Sequence, residues 1–213
     1  MSKKVVITGH SSGIGKAICD LLEENDYQIF KLESRLENTK DLESEIKEIL
    51  KSNNIDILIN CAGFGFFKPH EEFNSETILK KIAVNLSAPI LLSNLLLRSL
   101  KKQNGHIINI TSIEATKHSK FSALYTATKS GLRDFSLSLF EEIRKDGVKV
   151  TSINPDITNT NFFDDLNFKP TDDPETYINP KEIALSVLDI LNSKSVITDI
   201  TIRPQKFRLD KKW

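Results

Sequence analysis

Short apolar runs alternate along this chain with segments whose apolar residues recur every three or four positions. Val5-Val6-Ile7 has strand length, and Gly13 to Glu24 follows with Ile14, Ala17, Ile18, Leu21 and Leu22 on one helical face. Gln28 to Leu32 predicts a second strand, and Asp41 to Lys51 a helix with its period carried by Leu42, Ile46, Ile49 and Leu50. Ile55 to Ile59 is the next strand and runs into Asn60. A long helix is expected over about Ser75 to Lys102, with Pro89 as a candidate bend. His106 to Ile110 and Val148 to Ile153 predict strands on either side of a helix from Ser122 to Lys145. A loop rich in Asn, Asp and Pro covers about 156 to 179, before a helix over Pro180 to Leu191 and a strand over Val196 to Ile202.

Strands that alternate with helices imply crossover connections, hence a parallel sheet with helices on both faces. The strands are apolar nearly throughout, as both-face burial requires. No internal repeat or low-complexity linker divides the 213 residues. The expectation is one α/β domain over 1–213, with a variable loop at about 156–179.

Charge and composition narrow the function classes. Lys and Arg number 29 against 29 Asp and Glu, so nothing favours electrostatic capture of nucleic acid or an anionic membrane. The start, MSKKVVITGH, passes from charge straight into a strand, and no uninterrupted apolar run approaches membrane-spanning length. A soluble, cytoplasmic protein is expected. Cys19 and Cys61 lie in apolar contexts and read as buried free thiols. His10, His70, His106 and His118 are scattered without ligand spacing, so they read as structural or exposed, and no metal is expected.

Two motifs carry chemistry. Thr8-Gly9-His10-Ser11-Ser12-Gly13-Ile14-Gly15 turns from the first strand into a helix. Its glycines let backbone approach a pyrophosphate, and the helix start offers free N–H groups and a positive dipole end. The spacing is Gly-x-x-x-Gly-x-Gly, neither G-x-G-x-x-G nor a P-loop. The second motif is Tyr125-Thr126-Ala127-Thr128-Lys129. Its Tyr and Lys share a helix face, where the cation would favour the phenolate, and Ser112 upstream would hold a substrate oxygen against the phenol.

Together these motifs resemble the short-chain dehydrogenase/reductase family. Thr8 to Gly15 resembles its cofactor turn, and Asn60-Cys61-Ala62-Gly63 resembles its Asn-Asn-Ala-Gly motif with Cys in second place. Asn85, Ser112, Tyr125 and Lys129 match its catalytic tetrad in order and at intervals of 27, 13 and 4 residues. The resemblance runs from Val5 to about Ile202. It implies a doubly wound, mostly parallel, Rossmann-like sheet in three layers, and an NAD(P)-dependent oxidoreductase interconverting an alcohol and a carbonyl. Tyr125 would be general acid/base, Ser112 would bind the carbonyl, and Lys129 would hold the ribose and depress the phenol pKa. Asn85 would position, through its backbone, a water beside Lys129. The implied cofactor contacts are Gly9, Ser11, Ser12, Gly13, Ile14, Gly15, Glu33, Asn60, Ala62, Gly63, Tyr125, Lys129, Pro155, Ile157, Thr158 and Thr160. A homodimer or homotetramer is implied too, with the stripe Leu91, Leu92, Leu95 and Leu96 as core and subunit interface.

The chain departs from the family at two places. Pro155 is followed by Asp156 where the family has Gly, so a side chain enters the turn beside the expected nicotinamide. Ser34 to Lys40 is all that separates the second strand from the next helix, which deletes a family helix and reduces the third strand to something near Leu36 and Glu37. Glu33, 24 residues after Gly9, would accept from both adenosine ribose hydroxyls and repel a 2′-phosphate, which favours NAD over NADP. Arg35 lies two residues on, within reach of such a phosphate. Phe64, Phe66, Phe67, Phe162 and Phe163 would wall an apolar substrate site or pack onto the core. From another class comes a catalytically inactive dinucleotide-binding sensor or interaction protein, which Asp156 favours and the tetrad opposes.

Overall fold

The computed structural model describes residues 2–212. In chain order, β1 (Lys4–Thr8), α1 (Gly13–Glu24), β2 (Gln28–Lys31), α2 (Thr39–Ser52) and β3 (Ile57–Asn60) come first. α3 (Ser75–Ile82), α4 (Ala88–Gln103), β4 (His106–Ile110), α5 (Ala123–Ile143) and β5 (Lys149–Pro155) follow. The last are β6 (Phe168–Pro170), α6 (Pro180–Asn192), β7 (Asp199–Ile202) and β8 (Leu209–Lys211). Six strands form a parallel sheet in the order β2-β1-β3-β4-β5-β7. The expected doubly wound, Rossmann-like α/β fold is therefore present.

The strands are apolar because each face carries its own core. Val5, Ile7, Ile57, Ile59, Ile108 and Ile110 face α1 and α6, where they meet Ile18, Leu22, Ala184 and Val187. The alternate residues Val6, Leu58, Ile107 and Val150 face the other way, onto Leu42 and Ile46 of α2, Leu92, Leu96 and Leu100 of α4, and Leu139 of α5. This period of two, apolar on both faces, is what buries the four central strands, while the outer strands β2 and β7 stay partly exposed. Of the predicted leucine stripe, Leu92 and Leu96 are core, while Leu91 and Leu95 remain half-exposed.

Three expectations need correction. No strand forms at Leu36 and Glu37. Seven residues between β2 and α2 allow just a turn, in which Asn38 N donates to Arg35 O at 2.9 Å, and Asn38 then caps α2. β2 is consequently the sheet edge. The long helix over residues 75–103 is not regular either. Pro89 has no N–H for the carbonyl four residues back, that of Asn85. Over Ala83–Ser87 the ladder slips to a wide π turn, with Ala88 N donating to Ala83 O. Finally, the loop at 156–179 contains β6, which pairs antiparallel with β8, far along the chain. That strap is reinforced by Lys212, whose backbone N donates to Asn167 O at 2.9 Å and whose ammonium donates to Asp164 O at 2.8 Å.

His106 opens β4 and is buried at 5% exposure. Its Nε2 lies 2.8 Å from Thr151 Oγ1, which itself donates to Ile197 O at 2.6 Å. Thr151 therefore accepts, and Nε2 carries the proton of a neutral ring. Burial, with the Lys149 and Lys3 charges, pushes the imidazole down to about 3. The unfolded chain binds a proton at this residue below about pH 6.5 while the folded chain does not, so stability falls as pH drops through that window. In urea unfolding at pH 7 and pH 5, the wild type should lose about 2 kcal/mol more than His106→Gln. Equal losses in the two proteins would exclude His106 as the source.

Candidate active site

All six strands of the parallel sheet end on one side, and the segments after β1, β3, β4 and β5 line a cleft of about 1000 Å³. The turn after β1 forms one end. Gly9 has φ +72°, and a Cβ there would sit 2.7 Å from the Ala62 backbone. At Gly15 a Cβ would meet Gly9 O at 2.0 Å, so the first turn of α1 closes against the strand exit. Ser12 precedes α1 without a side-chain cap, which leaves the first amides of that 12-residue helix facing the cleft. Ser11, Ser12, Gly13, Ile14 and Gly15 all line it. Thr160 packs over Gly13, 3.1 Å from where a Cβ would lie.

Glu33 follows β2 at the far end of this groove with a largely exposed side chain, its Oε1 3.7 Å from His10 Nε2. His10 itself lines the groove, and its Nδ1 is buried without a hydrogen-bond partner among the described residues. The backbone of Glu33 and Ser34 is pinned by Glu45 of α2, whose carboxylate oxygens accept both amides at 3.0 Å. Burial raises the Glu45 pKa, but hydrogen bonds to Ser34 and Glu33 outweigh it and hold the carboxyl below its usual range. Arg35 also reaches the groove and joins none of the ion pairs among the described residues.

At the other end the four tetrad residues converge. Tyr125 and Lys129 share the inner face of α5, at 4% and 3% exposure. Lys129 Nζ donates to Ile110 O at 3.0 Å, the carbonyl at the end of β4. Asn85 is fully buried in the π turn. Its Oδ1 accepts from Phe64 N and its Nδ2 donates to Phe64 O, both at 3.0 Å, which fixes the segment after Gly63. A Cβ at Gly63 would lie 3.2 Å from Lys129 Nζ and 3.4 Å from Asn85 Oδ1, so the glycine keeps this corner open. Ser112 caps a short turn by accepting from Glu114 N at 3.2 Å. Glu114, also buried, takes Ser119 Oγ at 2.7 Å and ties that turn to the start of α5.

Burial dominates the electrostatics. It drives the Tyr125 phenol up, with a hydrogen bond to Ser112 pulling the other way and Glu114 adding to the rise. The expected depression by Lys129 is not among the influences that set this phenol, where burial prevails. Burial also lowers Lys129 to about 8, a shift that nearby Cys61 opposes, and pushes the half-buried Cys61 thiol up to about 12.

Three predicted residues lie off the cleft wall. Asn60 is buried inside the sheet, where its Nδ2 donates to Asn109 Oδ1 at 2.7 Å. Asn85 stands behind Phe64, as described. Ile157 points into a small core with Phe163 and Leu166, and its amide donates to Asp156 Oδ1 at 3.0 Å. Asp156 also receives Arg203 Nε on Oδ2 at 3.0 Å, so the extra side chain is spent bracing its own turn against the end of β7. Ala62, Gly63, Pro155 and Thr158 line the cleft, although the Thr158 hydroxyl donates back to Asp156 O at 3.0 Å.

The aromatics form a wall around the phenol. Phe66 meets Tyr125 edge-on at 5.4 Å, and Phe67 and Phe162 follow at 5.3 and 6.1 Å. Phe163 instead packs on Phe168, and Phe64 is 44% exposed. Sequence reasoning missed Lys68 and Lys81, which line the mouth beside this wall. Lys81 stands four residues before Asn85, so helical spacing from the tetrad offered the signal.

The short chain dehydrogenase family profile matches residues 37–170. An uncharacterized oxidoreductase of Staphylococcus aureus (strain MRSA252) is 30% identical over 95% of this chain and 97% of its own length. Carbonyl reductase family member 4 of Xenopus tropicalis is 30% identical over 95% and 96%. Among solved structures, an alcohol dehydrogenase from Thermococcus sibiricus complexed with 5-hydroxy-NADP superposes with TM-score 0.85 at 24% identity, covering 98% of this chain and 99% of that one. A 4-hydroxyisoleucine dehydrogenase complexed with NADH gives TM-score 0.82 at 23% identity over 95% and 97%. A sheet of this order, a glycine turn after its first strand and relatives matched almost end to end agree: the chain belongs to the short chain dehydrogenase family of oxidoreductases.

Proposed function

We propose that this protein interconverts an alcohol and a carbonyl with a nicotinamide dinucleotide, using Tyr125 as general acid/base. The observation that carries this reading is the convergence of Tyr125, Ser112 and Lys129 at one end of a cleft whose other end is the glycine turn of α1. The residues present fit the cofactor. Backbone at Gly9 and Gly15 approaches too closely for any Cβ, and the uncapped start of α1 offers amides to a pyrophosphate. When bound, the nicotinamide donates or accepts the hydride.

The chain supplies the proton and the orientation. In the reducing direction Tyr125 Oη gives its proton to the oxygen left negative by hydride addition, and Ser112 Oγ holds that oxygen in place. A phenol whose pKa is raised by burial stays protonated and ready to donate at neutral pH. In the oxidising direction the same phenol must first lose its proton, and Lys129, buried nearby with no carboxylate partner among the described residues, would favour the anion and would hold the ribose of a bound cofactor. The wall of Phe66, Phe67 and Phe162 excludes water from the reacting oxygen.

Tyr125→Phe should leave cofactor affinity near wild type and cut kcat by roughly 10²–10⁴-fold, the usual contribution of a positioned proton donor. Absorbance of the reduced nicotinamide against a panel of aldehydes and ketones, alongside a fluorescence titration of the cofactor, reads both quantities. Wild-type turnover in this variant would remove Tyr125 from the role. Tight cofactor binding by the wild type with no turnover across the panel would favour a binding protein that has lost catalysis.

For the cofactor we favour NAD. The Glu33 carboxylate stands free of backbone duties at the ribose end, since Glu45 holds the local amides, and a 2′-phosphate there would meet a like charge. Solved relatives are found with both kinds of dinucleotide, 5-hydroxy-NADP in one and NADH in another. Titration should give tighter binding of NADH than of NADPH, and Glu33→Ser should narrow the gap. Tighter binding of NADPH by the unaltered chain would assign control of this end to the unpaired guanidinium of Arg35.

A further inference from the structure

The mouth of the cleft on the Tyr125 side carries two ammonium groups that the proton-transfer reading does not use. Lys81, on α3, is half-buried, with Nζ 4.3 Å from the centroid of Phe66 and 5.3 Å from that of Phe64. Phe66 is the same ring that meets Tyr125 edge-on, so one aromatic ring separates the Lys81 ammonium from the phenol ring. Lys68 stands beside it, half-buried, with Nζ over Phe73 at 4.6 Å and donating to Glu72 O at 2.7 Å. One hydrogen bond to a carbonyl leaves an ammonium two further donors and its whole charge. Neither lysine joins an ion pair among the described residues, whereas the adjacent Lys80 turns away to Glu37 at 3.5 Å.

The acids nearby do not neutralise the pair. Asp165 lines the same mouth but lies beyond ion-pair distance of both lysines, and Glu72 offers Lys68 its backbone oxygen. Burial first, then the charges of Lys68 and Lys80, lower the Lys81 pKa, and Asp165 partly offsets them. Like charges held together in a partly desolvated cleft destabilise each other until an anion joins them. On the reading that Tyr125 transfers the proton, we propose that the substrate carries an oxyanion group, held by Lys81 and Lys68, one short apolar spacer away from the reacting carbon. The spacer lies on Phe66 and Phe67, and the class is that of acidic carbonyl compounds and their alcohols.

The probes are 4-formylbenzoate, its neutral methyl ester and 4-formylphenyl phosphate, each assayed with saturating reduced cofactor. Both anions should exceed the ester in kcat/KM by about tenfold, the size of one charge-assisted hydrogen bond at a partly exposed site. The ratio between the two anions separates carboxylate from phosphate as the natural group. Lys81→Gln should collapse the preference for anions over ester, Lys81→Arg should keep it, and Asp165→Asn should enlarge it. Calorimetric titration with the non-reacting 4-methylbenzoate and its methyl ester reads the same preference without chemistry. An ester used as well as the acid, with a ratio unmoved by Lys81→Gln, overturns the oxyanion site while leaving the oxidoreductase reading intact. A Lys81-dependent preference in calorimetry with no turnover of any aldehyde upholds the site and overturns that reading instead.

Discussion

Parallel strands must end, and where they end their amides lose the partners of the ladder. In this protein side chains repair much of that loss at the strand ends that face the cleft. Thr8 Oγ1 accepts from Cys61 N and Ala62 N at 3.1 and 3.2 Å, where β1 and β3 part. Asn85 pairs with both backbone groups of Phe64, Ser112 receives Glu114 N, and Asp156 receives Ile157 N. Each repair fixes a short segment that faces the cleft. The site is thus the place where the sheet's hydrogen bonding is completed by side chains rather than by a neighbouring strand. The same accounting explains Asp156, whose carboxylate closes the exit of β5 and reaches Arg203 beyond β7.

Beneath those strand ends lies a dry corner. Tyr125 and Lys129 are almost fully enclosed, and enclosure raises the one pKa and lowers the other, so two groups of nearly equal ordinary proton affinity are driven apart, each toward its neutral form. A buried cation needs compensation, and Ile110 O supplies a dipole without a full negative charge. A carboxylate in that position would bind the ammonium more strongly and would repel a phenolate. The carbonyl therefore suits a lysine that, on the proposed reading, would serve a neighbouring anion as well as itself.

Much of this was legible in the sequence, for reasons that can be traced to particular residues. The runs around Val6, Leu58 and Ile107 announce strands buried on both faces, and the glycine turn and tetrad sit where their spacing demands. The strap between β6 and β8 left no trace, because three-residue strands have no measurable period and their partners are some forty residues apart. The strand expected at Leu36 failed because seven residues cannot both extend and turn. Side-chain direction was the other blind spot. Asn60 pairs in register with Asn109, and the pleat carries its side chain into the sheet while the residues after it line the cleft. Lys68 and Lys81 were passed over because a lysine beside a helix reads as solvated until the fold shows what it faces.

The strap also governs how this enzyme could change. The wall that meets Tyr125 includes Phe162, which packs on Phe163, and Phe163 packs on Phe168 of β6. β6 in turn is held by β8 and Lys212, some forty residues further along the chain. The loop at 156–179 is therefore not a modular cassette. A graft of residues 156–179 from a relative would arrive without the strand it pairs with, and recombination that exchanges the loop has to carry the C-terminal segment along with it.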